Sequence, residues 1–251
     1  MEQAPSQTYR MVDVCLLAGK IMLQSGAETY RVEDTMTRIA ASFGVHHSHS
    51  FVTPTGIIFS IDGSDPTKLV RISERSTNLH KVTHVNAISR QLSSGEITLE
   101  QAYTRLQEVD ASRRAYPIPL QIASAAIASG CFTIMFQGSW ADFLPAVVTG
   151  GIGFAGVLYF HRLVQIKFFA EFLTSFIIGL LSSLFVFTGL GQELDKIIIG
   201  SVMPLVPGLL ITNAVRDLMA GHLVSGLSKG AEAFLTAFAI GAGIAIVFSF
   251  Y

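Results

Sequence analysis

The residues best suited to chemistry surround an interruption in the apolar stretch 197–212. Pro204, Pro207 and Gly208 make this interruption, because proline lacks a backbone donor and glycine loosens the backbone. In lipid, an unpaired backbone group is costly, so a broken helix must be sheltered by protein or line a wet cavity. The pattern therefore predicts backbone groups that are free to bind a polar ligand. A simple proline kink is the alternative interpretation.

Polar side chains follow the interruption within a few turns. Arg216 has a planar fork that matches a carboxylate, and Asn213 can donate and accept hydrogen bonds. Discontinuous helices with polar groups beside the break often form midplane binding sites in membrane transporters. We therefore predict that Asn213, Arg216 and Asp217 bind a substrate together with the break residues. The alternative interpretation is that these are ordinary polar residues at the membrane surface.

Two further acids lie in the apolar part of the chain. Glu171 falls inside one apolar stretch, and Glu232 begins another. An acid at membrane depth is a functional candidate by default and often relays protons. Asp217, His222 and Glu171 are therefore the candidates for proton coupling. A side chain that reaches water at the inner surface is an equal alternative for Glu171 and the preferred interpretation for Glu232.

A charged motif lies near the N-terminus, where Glu28, Arg31 and Asp34 are spaced three residues apart. Side chains at this spacing touch along one face of a helix, so neighbouring pairs of the motif can form ion pairs. A solvated charged face is the alternative, since most runs of charge on a helix are of that kind.

Histidines are the residues most typical of a metal site in this sequence. His46, His47 and His49 lie close together. His80 and His84 are four residues apart, a spacing that lets two imidazoles share a metal. No cysteine motif and no H-E-x-x-H pattern accompanies them, so we interpret them as surface residues without a metal. The sequence also lacks a G-x-S-x-G elbow, and neither an enzyme nor a cofactor is expected.

Composition divides the chain into two parts. Residues 1–115 hold most of the charge, whereas 116–251 hold most of the 18 phenylalanines. A mean hydropathy of +0.51 and a hydrophobic content of 50% indicate a membrane protein. The formal net charge of -1 argues against a nucleic-acid binder. We therefore predict a cytoplasmic α+β domain over 1–115 and a transmembrane helical domain over 116–251.

The second part contains five stretches that are long enough to cross a bilayer. They are 118–136, 142–160, 167–188, the interrupted 197–215, and 230–250. Small residues recur in them, for example Gly150, Gly153 and Gly241, and such residues let membrane helices approach closely. The sequence therefore predicts an α-helical membrane protein with about five transmembrane helices, one of them broken by proline and glycine.

Charges in the connections predict how these spans are oriented in the lipid bilayer. Arg113 and Arg114 precede the first span, and basic residues also lie between the second and third spans. The connection 137–141 has no lysine or arginine, and 189–196 has one lysine beside two acids. Because basic connections face the cytoplasm, the N-terminal part is predicted inside and the C-terminus outside. The N-terminus also lacks the pattern of a secretory signal.

Residues 1–115 carry the spacing of helices and strands. Helices are predicted over 9–24, 27–42, 77–93 and 97–111. The β-rich stretch 50–61, which holds Pro54, and the stretch 68–72 predict strands, with a turn at 62–66. Gly44 is expected just past the end of the second helix.

Three stretches resemble the threonine/serine exporter family. They are P-L-V-P-G-L-L-I-T-N-A-V-R-D-L-M-A-G-H-L-V-S-G-L at 204–227, S-G-A-E-T-Y-R-V-E-D-T at 25–35 and F-V-T-P-T-G-I at 51–57. The resemblance spans almost the whole chain. It implies export of small polar metabolites, threonine and serine in one branch and dicarboxylates such as succinate in another. Full-length members carry a second membrane half, whereas this sequence ends at Tyr251.

The resemblance therefore implies the short branch of the family, in which a separate small membrane subunit supplies the other half. It also implies a multi-pass protein of the bacterial plasma membrane, and it leaves open whether the two-subunit complex forms larger oligomers. The acids and the histidine named above would couple export to the proton gradient. A membrane-anchored enzyme is an alternative, although one helix suffices for an anchor. A ligand sensor, whose cytoplasmic domain carries the activity, is a third interpretation.

Overall fold

The structure, a computed structural model, describes residues 7–61, 67–112, 116–164 and 166–250. The strands are β1 (Ser48–Thr53), β2 (Gly56–Ile61) and β3 (Lys68–Arg71). The helices are α1 (Gln7–Gln24), α2 (Thr29–Ser42), α3 (Leu79–Ser93), α4 (Leu99–Ala111), α5 (Ile118–Met135), α6 (Trp140–Val164), α7 (Lys167–Phe187), α8 (Leu194–Val202), α9 (Gly208–Met219) and α10 (Leu223–Phe248), with a 3-10 turn at Met203–Leu205. The predicted turn at 62–66 and the basic pair Arg113 and Arg114 lie outside the described residues.

The chain forms two compact units. One unit consists of 1–113 together with 209–230, and the other consists of 114–208 together with 231–251. Most of α9 and the start of α10 therefore pack with the N-terminal helices and sheet. The cytoplasmic domain over 1–115 and the transmembrane domain over 116–251 stay predictions, because compactness does not locate a bilayer.

An antiparallel sheet of order β1-β2-β3 forms part of the first unit. The β-rich stretch 50–61 is divided into two strands by a tight connection at residues 54–55. Pro54 suits this position because proline cannot donate to a strand ladder. Ile57 and Phe59 of β2 are completely buried among apolar residues of the surrounding helices. The predicted α+β character of the N-terminal part is therefore confirmed.

The four predicted helices of the first unit are confirmed as α1 to α4, with ends that agree to within two residues. Gly44 follows α2 with a φ of +79°, a left-handed conformation that favours glycine at a helix end. Thr98 and Gln101 form a capping box at the start of α4, which satisfies two backbone donors there. Local sequence signals thus account for the end of α2 and the start of α4.

Four helices, α5, α6, α7 and α10, are long and apolar enough to cross a membrane. The pair Leu194–Leu205 and Gly208–Met219, bent by 62° at the break between them, makes a fifth candidate. The prediction of about five spans, one of them broken, is therefore confirmed in length and composition. The cytoplasmic location of the N-terminal part stays a prediction.

Small residues bring the helices of the second unit close together. A Cβ atom at Gly150 of α6 would lie 2.0 Å from Oγ of Ser129 on α5. A Cβ atom at Gly200 of α8 would lie 2.0 Å from Oγ1 of Thr133, also on α5. Because any larger residue would clash at these two positions, the glycines set how closely α6 and α8 approach α5.

A buried acid joins two connections at one end of the second unit. Oδ1 of Asp142, in the first turn of α6, accepts hydrogen bonds from the backbone N–H groups of Gln192 and Glu193, at 2.6 and 3.1 Å. Its Oδ2 accepts from the hydroxyl of Ser139 at 2.6 Å. The connections before α6 and before α8 therefore lie at the same end of the bundle. They are the two connections predicted to lie outside.

Candidate functional site

The predicted interruption is present between α8 and α9. After the 3-10 turn, Val206 has an extended backbone, with φ -63° and ψ 129°, and α9 begins at Gly208. Pro204 lies in the 3-10 turn, and Pro207 fills the gap before α9. A Cβ atom at Gly208 would meet no other atom within 4 Å. The break thus has open space beside it, and it marks where the chain passes from one compact unit to the other.

One face of α9 is buried in the first unit. Asn213 and Asp217, four residues apart, both lie on this face. Nδ2 of Asn213 donates to the carbonyl oxygen of Gly26 at 2.9 Å. Gly26, in the turn after α1, has a φ of +88°, which only glycine adopts without strain. The amide of Asn213 therefore holds α9 against the turn between α1 and α2.

The Asp217 carboxylate is completely buried in the first unit. Its Oδ1 accepts from the backbone N–H of Thr29 at 2.9 Å, and its Oδ2 accepts from the Thr29 hydroxyl at 2.9 Å. Nζ of Lys229 donates to Oδ2 at 2.7 Å. Thr29 is the first residue of α2, so the carboxylate caps that helix and meets the positive end of its dipole. Asp217 is therefore a fully paired buried anion.

Arg216 pairs with the N-terminal charged motif. Nη1 of Arg216 lies 2.5 Å from Oε1 of Glu28, and Nη1 of Arg31 lies 3.4 Å from Oε2 of the same carboxylate. The Glu28 side chain is only 7% exposed, whereas the Arg216 side chain is 56% exposed. Asp34 pairs instead with Arg38 on the surface of α2. Of the three predicted motif residues, Glu28 therefore pairs with α9, Arg31 pairs with Glu28, and Asp34 pairs with Arg38 instead.

These ion pairs affect the titration of Glu28. Burial alone would raise the pKa of this carboxyl. The Glu28 backbone N–H, the hydrogen bond from Arg216 and the positive charges of Arg31 and Arg216 together lower the pKa below its usual value of 4.5. Glu28 is therefore charged at neutral pH, as an ion pair with Arg216 requires.

His222 lies beside an acid that the sequence patterns did not single out. Its Nδ1 is 3.8 Å from Oε2 of Glu33. Oε1 of Glu33 accepts from the backbone N–H of Val52 at 2.9 Å. Burial and the charge of Asp217 raise the pKa of Glu33, and the Val52 N–H and His222 oppose that rise. Glu33 and His222 thus lie side by side, and the charge of Asp217 acts on Glu33.

Three sequence stretches come together around α9. The stretch 25–35 supplies Gly26, Glu28 and Thr29, which contact α9 directly. The stretch 51–57 supplies the carbonyl of Val52, which accepts from the hydroxyl of Ser225 at 2.9 Å. The third stretch, 204–227, holds α9 and Ser225 themselves. The contacting residues of these three stretches, from Gly26 to Ser225, therefore belong to one compact unit.

Glu171 lies in the second unit, on α7. Its side chain is almost completely buried, and its Oε2 has no hydrogen-bond partner among the described residues. Hydroxyl oxygens of Thr174, Ser175 and Thr236 are likewise buried without a partner in the described part of the chain. Lys167 and Glu232, which form an ion pair of 3.1 Å, supply the charges that act on Glu171. This proton-coupling candidate thus differs from Asp217, whose oxygens are all paired.

The sequence patterns did not single out Thr29, Glu33, Asp142 or Lys229. Thr29 and Asp217 are 188 residues apart, and no spacing rule predicts a contact at that separation. Lys229 offered a usable signal, because a lysine at the edge of an apolar stretch needs an acid as partner. Asp142 offered a similar signal, because it is a charged residue at the edge of the second apolar stretch and needs polar partners there.

The histidines show no metal constellation. The rings of His80 and His84 are 4.4 Å apart and packed edge to face. Within 7–61, 67–112, 116–164 and 166–250, no three side chains of histidine, cysteine, aspartate or glutamate converge as metal ligands would. The interpretation of these histidines as surface residues without a metal stays a prediction.

Comparison with known proteins gives matches to one protein family and to relatives that are named as transporters. The profile of the family described as "Putative threonine/serine exporter" matches residues 13–251. The "Probable succinate transporter subunit YjjP" of Klebsiella aerogenes is 26% identical over 100% of this chain and 98% of its own length. The protein of the same name in Escherichia coli K12 is also 26% identical, over 98% of this chain and 96% of its own length.

A longer relative, the "Threonine/serine exporter" of Corynebacterium glutamicum, is 23% identical over 96% of this chain but only 51% of its own length. The chain thus spans about half of that protein. These relatives are named as transporters, so the expectation that the chain is not an enzyme is confirmed. No solved structure matches the chain.

Proposed function

The chain belongs to the threonine/serine exporter family, and we propose that it is the larger subunit of an exporter of small polar metabolites. The observation that carries this proposal is the match over nearly the full length of relatives named as subunits of a succinate transporter. The broken helix supports it, since helices of this kind often form substrate sites in transporters. The substrates are amino acids of the threonine/serine type or dicarboxylates such as succinate, both of which carry a carboxylate.

Arg216 is the proposed contact for a substrate carboxylate. One of its guanidinium nitrogens is bound to Glu28, but more than half of the side chain is exposed. A guanidinium has five N–H donors, so several remain for a second carboxylate. Arg216 therefore combines a fixed position with free binding capacity.

The break at Pro204, Pro207 and Gly208 has a separate proposed role. Neither proline has a backbone N–H, and α9 begins only at Gly208. We propose that this break supplies polar backbone groups to the transport path and serves as the hinge of α9. Asn213 and Asp217 then hold α9 on the start of α2 and the turn before it, because the Asn213 amide binds Gly26 and the Asp217 carboxylate binds Thr29.

The second proposed component is a small membrane subunit. The longer Corynebacterium relative has about as much sequence again beyond the matched part. In transporters built from repeats, a second half completes the site. We propose that a separate chain with its own P-x-x-P-G segment supplies that half here. The pair would lie in the bacterial plasma membrane, with the N-terminus of this chain in the cytoplasm, and would use the proton gradient.

Reconstitution tests the proposed function. The purified chain, the small subunit and the two together are placed in liposomes loaded with labelled threonine, serine or succinate. We expect efflux of one substrate class from liposomes that contain both subunits and none from either subunit alone. Full efflux by this chain alone would contradict the two-subunit proposal. No efflux of any of the three compounds by the complete pair would contradict the proposed substrates.

A further inference from the structure

Four buried oxygen atoms on α7 and α10, both in the second unit, have no hydrogen-bond partner among the described residues. Glu171, Thr174 and Ser175 follow one another at helical spacing on α7, so they share one face. Thr236 of α10 lies next to the Glu171 carboxyl, although no hydrogen bond of normal geometry joins them. All four side chains are at least 95% buried. We call these four residues the α7–α10 oxygen cluster.

Tight packing fixes the cluster in place. A Cβ atom at Gly243 of α10 would lie 2.4 Å from the backbone oxygen of Phe172 and 3.1 Å from Cβ of Ser175. A Cβ atom at Gly179 of α7 would lie 2.7 Å from the side chain of Val247. The two contacts show that α7 and α10 run in the same direction with their backbones close together. The oxygens are therefore held by two helices that have little room to shift.

The cluster is unusual because polar atoms in a bilayer are normally paired. Buried hydroxyl and carboxyl groups without hydrogen bonds destabilise a fold, and such groups in membrane spans are retained where they have a function. A structural role would require hydrogen bonds, as in the pairing of Ser182 with the Ile178 carbonyl at 2.8 Å on the same helix. The cluster oxygens make no such bonds in the described part of the chain.

The charge around the cluster favours a cation. Lys167, on α7, and Glu232, on α10, pair with each other at 3.1 Å and are the charged groups that act on Glu171. With both of them and Glu171 ionised, the net charge is negative. The helices α6 and α8 also pack on α7, and none of their described residues adds a charge that acts on this carboxyl. An oxygen-rich site with a net negative charge suits a small cation and disfavours a carboxylate substrate.

We propose that the α7–α10 oxygen cluster is the coupling-cation site of the transporter. Glu171 supplies a carboxylate oxygen and the three hydroxyls supply neutral oxygens to a small monovalent cation, which is either a proton or Na⁺. The proposal rests on the proposed function, namely gradient-driven export. It separates the cation site from Arg216, the proposed substrate contact. It also excludes Asp217 as the coupling group, because Lys229 and Thr29 already occupy its oxygens.

Transport by the complete two-subunit protein tests this assignment. Glu171→Gln removes the ionisable group but keeps the size of the side chain. In proteoliposomes, we expect this variant to lose gradient-driven efflux by about tenfold or more while substrate exchange without a gradient continues. A proton gradient that drives the wild type in sodium-free buffer identifies the proton as occupant, and a sodium gradient at equal pH identifies Na⁺. Unchanged gradient-driven efflux in Glu171→Gln would overturn the proposal.

Matched serine variants on α7 provide the control. Ser175 and Ser183 are both buried hydroxyls without a partner among the described residues, but only Ser175 belongs to the cluster. Ser175→Ala should weaken gradient-driven efflux, whereas Ser183→Ala should leave it unchanged. Equal losses in both variants would overturn the assignment, because a general packing effect would then explain them.

A binding measurement separates this proposal from the proposed function. The melting temperature of the purified chain in detergent is recorded against pH and against NaCl, with KCl at equal ionic strength as reference. We expect a dependence on pH or on Na⁺ that Glu171→Gln loses, even if no substrate is transported. Identical profiles for wild type and Glu171→Gln would overturn the cation site. Failure of efflux with a Glu171-dependent profile intact would instead count against the proposed substrates.

Discussion

The Asp217 carboxylate lies 2.7 Å from the ammonium group of Lys229, and the two side chains are 0% and 5% exposed. The same carboxylate caps α2 through Thr29. Each charge of so deeply buried a pair depends on the other, because either charge alone would be buried without water or an opposite charge. The contact links α9, the start of α10 and the first residue of α2 within one compact unit.

The first prediction concerns the stability of this pair. Asp217→Asn should destabilise the chain by about 3–5 kcal/mol, because it leaves the Lys229 charge buried without an opposite charge. The double variant Asp217→Asn/Lys229→Met removes both charges and should recover much of that loss. Unfolding of the purified chain in detergent, followed by circular dichroism, measures both effects.

The exposed pair of Asp34 and Arg38 is the control for this experiment. Asp34→Asn should change stability by less than about 1 kcal/mol, because solvent screens an exposed pair. If Asp217→Asn were as harmless as Asp34→Asn, the buried pair would not hold α9 as described.

The second prediction concerns the pH dependence of stability. The pKa of Glu28 is below its usual value of 4.5 in the folded chain, so its ion pairs stabilise the fold above that value. This stabilisation is lost as the pH falls through the lowered pKa of the folded state. Between pH 7 and pH 3, the wild type should therefore lose more stability than Glu28→Gln. Chemical unfolding at a series of pH values tests the difference.

Glu33 also titrates, and because burial raises its pKa, its effect on the pH dependence of stability is opposite to that of Glu28. This effect is present in both the wild type and Glu28→Gln, so it cancels when the two are compared. Glu100→Gln is a suitable control, since Glu100 pairs with Arg10 on the surface and its side chain is 62% exposed. Parallel curves for wild type and Glu28→Gln down to pH 3 would refute the role given to Glu28.

The third prediction concerns the break before α9. Replacing Pro207 and Gly208 together by alanine restores a backbone donor and favours a continuous helix. We expect efflux per folded molecule to fall, since the polar backbone groups would pair within the helix. Gly241→Ala on α10 is the control, because a Cβ atom there also meets nothing within 4 Å. Normal efflux by the double variant, with lower expression alone, would favour a structural kink.

The sequence predicts well those parts of the fold that depend on residues close together in the chain. The break follows from the chemistry of Pro207 and Gly208, and the spans follow from their length and apolar composition. The environment of Asp217 could not be predicted, because its partner Thr29 is 188 residues away in the chain. Asp217 follows Arg216 directly in the helix after the break and is predicted as a candidate proton carrier, and the structure pairs its carboxylate with Lys229 and Thr29.

The fourth prediction concerns orientation in the membrane. Basic connections alternate with non-basic ones, and Asp142 holds the two non-basic connections at one end of the second unit. Because basic connections remain in the cytoplasm, a reporter fused after Tyr251 should lie outside and one inserted near Ser112 inside. Alkaline phosphatase and green fluorescent protein fusions give opposite signals for the two sides. A fluorescent C-terminal fusion would contradict the orientation.

The last prediction separates substrate binding from stability at Arg216. Lysine keeps the charge but lacks the planar fork, so Arg216→Lys should lower efflux by about tenfold or more, as expected for losing a hydrogen bond between charged groups. Because the Arg216 side chain is 56% exposed and Arg31 still faces Glu28, the stability of the chain should change little.

Arg38→Lys, in an exposed pair on α2, is the matched control and should transport normally. Efflux assays with threonine, serine and succinate, normalised to folded protein, give the comparison. Wild-type efflux by Arg216→Lys for all three compounds would mean that the substrate carboxylate binds elsewhere in the transporter.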